Sequence, residues 1–319
     1  MRIVDNILDL IGHTPLVKLN KLNNTKCNIY AKLESFNPGG SVKDRIGLAM
    51  IQQAEEEGRL KPGMPVVEPT SGNTGVGLAL VCLQRGYPLI VTMPDKVSKE
   101  KQDLLKAYGA EVHVCPTAVE PDDPRSYYST AKRLAEERGG VYLNQYWNLA
   151  NPEAHYRTTG PEIWEQLGNK LTAFVCGVGT GGTISGTGRY LKEKNPIIEI
   201  VGIDPEGSML YSQFYNQPHD VHTYLIEGIG EDLIPGSLDV SDSSLGITGM
   251  VESMIGGGDV EIMVTDPGQN LDIGGAGANF DSAFDVDIAT TGDINVMSSI
   301  QNGGSGDVNV IAGWDAATG

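Results

Sequence analysis

Three loops of small and hydroxyl-bearing residues, each opening a helical stretch, hold the side chains best suited to chemistry. The first is Asn37-Pro-Gly-Gly-Ser-Val-Lys-Asp-Arg45. Pro38 and the glycines force a turn, Ser41 is a favourable N-cap, and Ile46–Glu57 continues as a helix. Lys43 thus falls in a first helical turn, where the positive end of the helix dipole disfavours another cation. Such a lysine has reason to be a neutral amine or to be spent in a covalent bond. Its plainer reading is a solvated lysine paired with Asp44 or Glu34. The second loop is Glu68-Pro-Thr-Ser-Gly-Asn-Thr-Gly75, where backbone N–H groups and the hydroxyls of Thr70, Ser71 and Thr74 would cradle a carboxylate or phosphate. Asn73 could bond a ring substituent, and an ordinary capping turn is the alternative. The third, Gly177-Val-Gly-Thr-Gly-Gly-Thr183, suits a phosphate closely. It also matches GxGxxG through Gly177, Gly179 and Gly182, with Asp204 about 20 residues on, where a ribose-binding acid is expected. On that loop alone a nicotinamide dinucleotide site is a fair hypothesis, but it leaves Lys43 and Thr70–Gly75 unexplained.

These loops need a sheet to carry them. Short apolar runs at Pro65–Glu68, Leu89–Met93, Glu111–Cys115, Val141–Asn144, Leu171–Cys176 and Ile197–Asp204 read as strands. Between them lie helical stretches at Asn73–Arg85, Ser98–Tyr108, Arg125–Arg138 and Gly181–Lys194, and Gly139-Gly140 ends one of these as C-cap glycines do. Strands alternating with helices of this length mean βαβ units and a parallel sheet covered on both faces. The expected class is α/β. Gln145 ends a strand and so is placed to face a site, while Tyr142, Tyr146 and Trp147 are expected in the core.

The chain has 319 residues and a net charge of −18, enough for about two domains. That charge argues against nucleic acid or an anionic membrane as partner. No run of about 18 apolar residues would span a bilayer, and the start lacks a signal peptide's pattern, so a cytoplasmic location is expected. Four scattered cysteines suggest reduced thiols rather than a metal site or disulfide framework. His155 and His219 have no partners at metal spacing.

The composition changes along the chain. All 23 Lys and Arg lie before residue 195, whereas 241–319 carries 12 acidic residues and 15 of the 41 glycines. Two domains are therefore expected, 1–240 and an acidic Gly/Asp-rich tail, 241–319. The tail repeats a short phrase at Gly258-Asp-Val-Glu-Ile, Asp285-Val-Asp-Ile, Gly292-Asp-Ile-Asn-Val and Gly306-Asp-Val-Asn-Val, which reads either as short β repeats or as a stretch too polar to order itself.

Taken together, the loops over about residues 3–240 resemble the fold-type II pyridoxal-phosphate enzymes of the cystathionine β-synthase and cysteine synthase family. The resemblance rests on Ile11-Gly-His-Thr-Pro-Leu16, Ser41-Val-Lys-Asp-Arg45, Thr70-Ser-Gly-Asn-Thr-Gly75, Gly179-Thr-Gly-Gly-Thr183 and Glu227-Gly-Ile-Gly-Glu-Asp-Leu-Ile-Pro235, in the family's order. It implies two subdomains, a homodimer and pyridoxal 5′-phosphate as cofactor. It also implies that Lys43 forms the Schiff base and then serves as general base. Asn73 would bond the ring 3′-oxygen, Gly179, Thr180, Gly181, Gly182 and Thr183 would hold the phosphate, and Thr70, Ser71, Gly72, Thr74 and Gln145 would bind the substrate α-carboxylate. The implied reaction is β-replacement on serine or an O-activated serine. The stretch from Cys115-Pro-Thr-Ala118 through Tyr127-Tyr128, with Asn144-Gln-Tyr146 and Glu227–Pro235, looks closer to bacterial cystathionine β-synthases, favouring homocysteine over sulfide as the thiol. After about Asp239 the family's closing segment is not recognisable, so the catalytic core is expected to be incomplete there, and an inactive truncated or fused core is the further alternative. The partner of the tail is not named by the sequence.

Overall fold

A computed structural model describes the chain except residues 1–2, 21–27, 71, 219–220, 223, 225 and 227; beyond 238 it describes 249–253, 260–263, 286–287, 297–298 and 310–311. The elements follow as β1 (Leu16–Lys18), β2 (Tyr30–Lys32), α1 (Lys43–Glu56), β3 (Val66–Pro69), α2 (Asn73–Arg85), β4 (Leu89–Pro94), α3 (Lys99–Ala107) and β5 (Glu111–Cys115). Next come α4 (Tyr127–Arg138), β6 (Val141–Tyr142), α5 (Ala150–Arg157), α6 (Thr159–Leu167), β7 (Ala173–Gly177), α7 (Gly182–Lys194), β8 (Glu199–Pro205) and α8 (Leu210–Phe214). The last strands are β9 (Gly249–Ser253), β10 (Val260–Met263), β11 (Val286–Asp287), β12 (Met297–Ser298) and β13 (Val310–Ile311). The alternation read from the sequence is the alternation observed. The stretch after Asn144, for which no element was expected, holds α5 and α6.

The chain forms two compact units, Met1–Pro15 with Leu33–Glu162, and Leu16–Lys32 with Ile163–Gly319. In the first unit a parallel sheet runs β5-β4-β3-β6. Every residue of β3 and β4 is buried, as expected of central parallel strands covered on both faces. One face packs on Ile46, Met50, Ile51, Leu78 and Leu105 of the helices, the other on Ala131, Leu134 and Ala135 of α4. The helices start where the sequence placed them to within a residue or two. Ser98 and Ser126 cap α3 and α4, and Gly139 closes α4 in the left-handed conformation that glycine adopts without strain.

In the second unit the sheet runs β11-β10-β9-β8-β7, with β7, β8 and β9 mutually parallel. Ile184 and Leu191 of α7 pack with Ile198, Ile200, Leu210 and Leu238 in its core. The hairpin of β1 and β2 and the pair β12–β13 are antiparallel. The sheet's third strand, β9, and the short strands β10 to β13 all lie beyond residue 240. Cys82 and Cys115 are buried and Cys176 half-buried, all as free thiols. Cys27 and His219 lie outside the described residues. No described helix is long and apolar enough to cross a membrane.

Candidate active site

Lys43 is the first residue of α1 and is half-buried. The helix starts at Lys43 itself, with Val42 in the capping position; the Lys43 backbone N–H reaches back to Ser41 Oγ at 3.2 Å. Both carboxylates that the sequence offered to Lys43 are engaged by other groups. Asp44 is fully buried, and its Oδ2 accepts the Gly39 N–H across the turn. Burial pushes the Asp44 carboxyl up to about 6, against the pull of that N–H. Glu34 belongs to Arg45.

Arg45 is the organising cation of this unit. Its guanidinium is about 1% exposed and pairs with two carboxylates at once. Nε and one terminal nitrogen donate to Glu34 at 2.7 and 2.8 Å, and the terminal nitrogens donate to Glu162 at 2.7 and 2.8 Å. The remaining acceptors are drawn in as well. Thr14 Oγ1 donates to Glu34 at 2.6 Å, Asn37 Nδ2 donates to Glu34 at 2.8 Å, and the backbone N–H groups of Gly12 and His13 donate to Asn37 and Glu162. Burial alone would raise Glu34; the hydrogen bonds and charge of Arg45, with Thr14 and Asn37, outweigh it and hold Glu34 below the ordinary range. This network ties the Gly12-His13-Thr14 stretch, the Asn37 turn and α6 to the helix that begins at Lys43. His155 lies in the same interior, 1% exposed, with Nδ1 2.9 Å from Thr159 Oγ1. Burial first, then the charges of Arg45 and Lys43, push its pKa down to about 3, so it is a neutral imidazole at ordinary pH.

Helix α2, which the Thr70–Gly75 loop opens, meets α1 through glycines. A Cβ on Gly77 would lie 2.7 Å from the Lys43 carbonyl oxygen and 3.0 Å from Asp44 Cα, and one on Gly47 would meet the Gly77 backbone. The loop's helix and the Lys43 backbone are therefore in direct contact. Gly77→Ala is expected to cost about 1–3 kcal/mol, the usual penalty for overpacking, and to lower turnover by moving Lys43. Urea unfolding and steady-state kinetics check both effects. The start of α2 has no side-chain cap, leaving its first turn open to a ligand. Thr70 and Thr74 are buried, Thr70 Oγ1 accepts the Gly72 N–H at 3.1 Å, and Thr74 Oγ1 donates to Gln145 Oε1 at 2.7 Å. The structure thus brings Gln145, in the turn three residues beyond β6 rather than at the expected strand end, to the loop 71 residues before it. Asn73 is exposed at the first position of α2. Ser71 lies outside the described residues. Tyr146 is buried with its ring 5.4 Å from Tyr128, and Tyr142 is half-buried. Trp147, expected in the core, is 51% exposed.

In the second unit, Gly177–Thr183 is held by the 228–238 segment. The Gly230 N–H donates to the Val178 carbonyl at 2.7 Å, and the Ser237 hydroxyl donates to the Thr180 carbonyl. A Cβ on Gly179 would lie 2.7 Å from the Gly228 carbonyl oxygen, and one on Gly181 would collide with Leu238. Gly181, at φ +83°, opens α7 with no side-chain cap, and Gly182 begins the helix. A helix start bare of side chains, with glycines on its approach and Thr180 and Thr183 beside it, fits a phosphate ester. Asp204 does not fit a ribose. It is fully buried and its Oδ2 accepts the Tyr211 N–H at 2.8 Å, an acceptor for the start of α8. The dinucleotide reading therefore loses its acid.

A family model described as "Pyridoxal-phosphate dependent enzyme" matches residues 7–254. The chain belongs to that family, as a fold-type II member with pyridoxal 5′-phosphate as its cofactor. Among its relatives, the cystathionine β-synthase of Saccharomyces cerevisiae is 50% identical over 244 residues, 73% of this chain and 48% of that one. The cysteine synthase of Staphylococcus aureus is 50% identical over 238 residues, 74% of each chain. This chain spans about half the length of the yeast enzyme it matches. A solved O-ureido-L-serine synthase shares its fold with a TM-score of 0.72 and 36% identity, covering 79% of this chain and 77% of that one. An O-acetylserine-dependent cystathionine β-synthase from Helicobacter pylori gives 0.70 and 40%, covering 80% of each.

Proposed function

We propose that the chain performs β-replacement on serine or an O-activated serine, with homocysteine as incoming thiol and cystathionine as product. The observation that carries the reading is the Thr74–Gln145 hydrogen bond beside the uncapped start of α2, on a helix that touches the backbone of Lys43. In this reading Thr70, Ser71, Gly72, Thr74 and Gln145 bind the substrate α-carboxylate. Gly179, Thr180, Gly181, Gly182 and Thr183 hold the cofactor phosphate, and Asn73 bonds the ring oxygen. Pyridoxal phosphate supplies the electron sink for charge developing at the substrate α-carbon. Lys43 Nζ would hold the cofactor and, as the free amine, would take the substrate α-proton as general base. The β-substituent would leave with its bonding electrons and take up the proton the thiol gives up, the sulfur would bond the β-carbon, and Lys43 would return its proton to the α-carbon. The same reading sets this reaction in a cytoplasmic homodimer, with the catalytic core in 1–240 and an acidic tail over 241–319.

The likeness to the staphylococcal cysteine synthase, which covers an equal share of both chains, favours a second reading with sulfide as the thiol and cysteine as product. The test is a competition on cofactor-loaded protein, with serine or O-acetylserine as donor and homocysteine or sulfide as acceptor. A larger kcat/KM for serine with homocysteine, with cystathionine as product, supports the proposal. A preference for sulfide transfers the assignment to cysteine synthesis, and no product with any pair rejects both.

A further inference from the structure

Glu68 is an acid where an apolar residue would be expected, the third residue of a central parallel strand, with none of its surface exposed. Its surroundings explain it. Strand β6 pairs with β3 only at Val66–Val141 and Val67–Tyr142, and the Leu143 N–H still reaches the Val67 carbonyl at 3.2 Å. At Asn144 the chain turns out of the sheet through a left-handed conformation, φ +59°. The next two backbone donors lose their ladder partners there, and unpaired donors are costly away from water. Glu68 takes both, Oε2 accepting from Asn144 N–H at 2.7 Å and Oε1 from Gln145 N–H at 3.0 Å. The side chain continues the ladder where the backbone cannot.

The residue fixed in this way is Gln145. Its carbonyl accepts Asn151 Nδ2 at 2.9 Å, its Nε2 donates to the Pro69 carbonyl at 3.2 Å, and its Oε1 accepts from Thr74. Glu68 therefore supports both sides of the constellation, since Pro69 and Thr70 follow it directly in sequence. A carboxyl is the only side-chain group of this length that presents two acceptor atoms side by side; a glutamine amide has one acceptor and would set an N–H against one of the donors. We propose that Glu68 is a positioning residue for amino-acid binding, fixing the Asn144–Gln145 turn so that Gln145 and Thr74 face the substrate carboxylate together. The proposal rests on the reading of Gln145 as a carboxylate-binding residue. Burial pushes the Glu68 carboxyl up to about 8 despite the two N–H groups.

The test compares Glu68→Gln, Gln145→Ala and the double variant as full-length, cofactor-loaded proteins, titrating serine and following the visible absorption of the bound cofactor. The expected result is a rise of about tenfold or more in the serine Kd for each single variant, the scale of one lost buried hydrogen bond, with cofactor content unchanged. The double variant should be no weaker than Gln145→Ala alone, because both act through one group. A Glu68→Gln protein that binds serine like the wild type, while Gln145→Ala does not, overturns the positioning role and leaves the carboxylate reading intact. A Gln145→Ala protein that binds serine normally, or a wild type that gives no response to serine, overturns the underlying reading and this proposal with it. Should Glu68→Gln not fold, Glu68→Asp replaces it, keeping both oxygens on a shorter stem. Its serine Kd is expected to rise, and an unchanged Kd rejects the role.

Discussion

Lys43→Ala is expected to abolish turnover. Removing a positioned acid–base group costs about 10²–10⁴-fold by itself, and the same nitrogen is assigned the covalent hold on the cofactor, so the combined loss should exceed that range. The substitution is well placed to separate chemistry from folding. Lys43 is half-buried at a helix start, alanine is a good helix former, and the ion-paired interior beside it is built from Arg45, Glu34 and Glu162 instead. Steady-state assays with serine and homocysteine, and with O-acetylserine and sulfide, should both fall to background while urea unfolding stays close to wild type. A variant that keeps wild-type turnover would remove Lys43 from the mechanism.

Arg45→Ala should have the largest effect on stability. It strands two carboxylates that the guanidinium now pairs, and breaking a buried ion pair from one side costs about 3–5 kcal/mol. The pH dependence gives the effect a signature. In the wild type Glu34 is held below its ordinary value near 4.5, so its contribution is present above that value and is lost as pH falls through the lower folded value. Without Arg45, only the Thr14 and Asn37 hydrogen bonds oppose the burial of Glu34, so its carboxyl rises and the variant should gain stability relative to wild type as pH falls from 7 toward 4. Urea midpoints across that range decide it. Parallel curves for the two proteins would mean that Arg45 does not control the ionisation of its neighbours.

The loops were legible in the sequence because they are local. A glycine or hydroxyl residue at a strand-to-helix junction carries its meaning within a few positions, and the uncapped starts of α2 and α7 follow from Gly72 and Gly181. The strands were legible for the same reason, as short apolar runs bounded by turn residues. What supports the loops was not. Glu34, Arg45 and Glu162 are separated by 11 and 117 positions, and each alone reads as a solvated charge. Glu68 beside a proline looked like part of a capping turn, since its partners, the N–H groups of Asn144 and Gln145, lie 76 and 77 positions on. Gln145 was expected at a strand end, but β6 stops at Tyr142 and Gln145 lies in the turn beyond it; its bond to Thr74 depends on β6 returning beside β3, which no local signal specifies. The glycines at 47 and 77 were equally silent, because the need for them arises only when two helices meet. In the acidic tail, alternation marked the neighbourhoods of β10, β11, β12 and β13, while the pairing of β9 beside β8 left no such mark.

The role of Lys43 as the lysine that carries the cofactor is measured most directly by trapping the cofactor there. Full-length protein loaded with pyridoxal phosphate, reduced with borohydride and digested, should yield one phosphopyridoxyl-labelled peptide with the modification on Lys43, and prior incubation with serine should suppress that label. Label on another lysine, or none on the cofactor-loaded chain, would contradict the account.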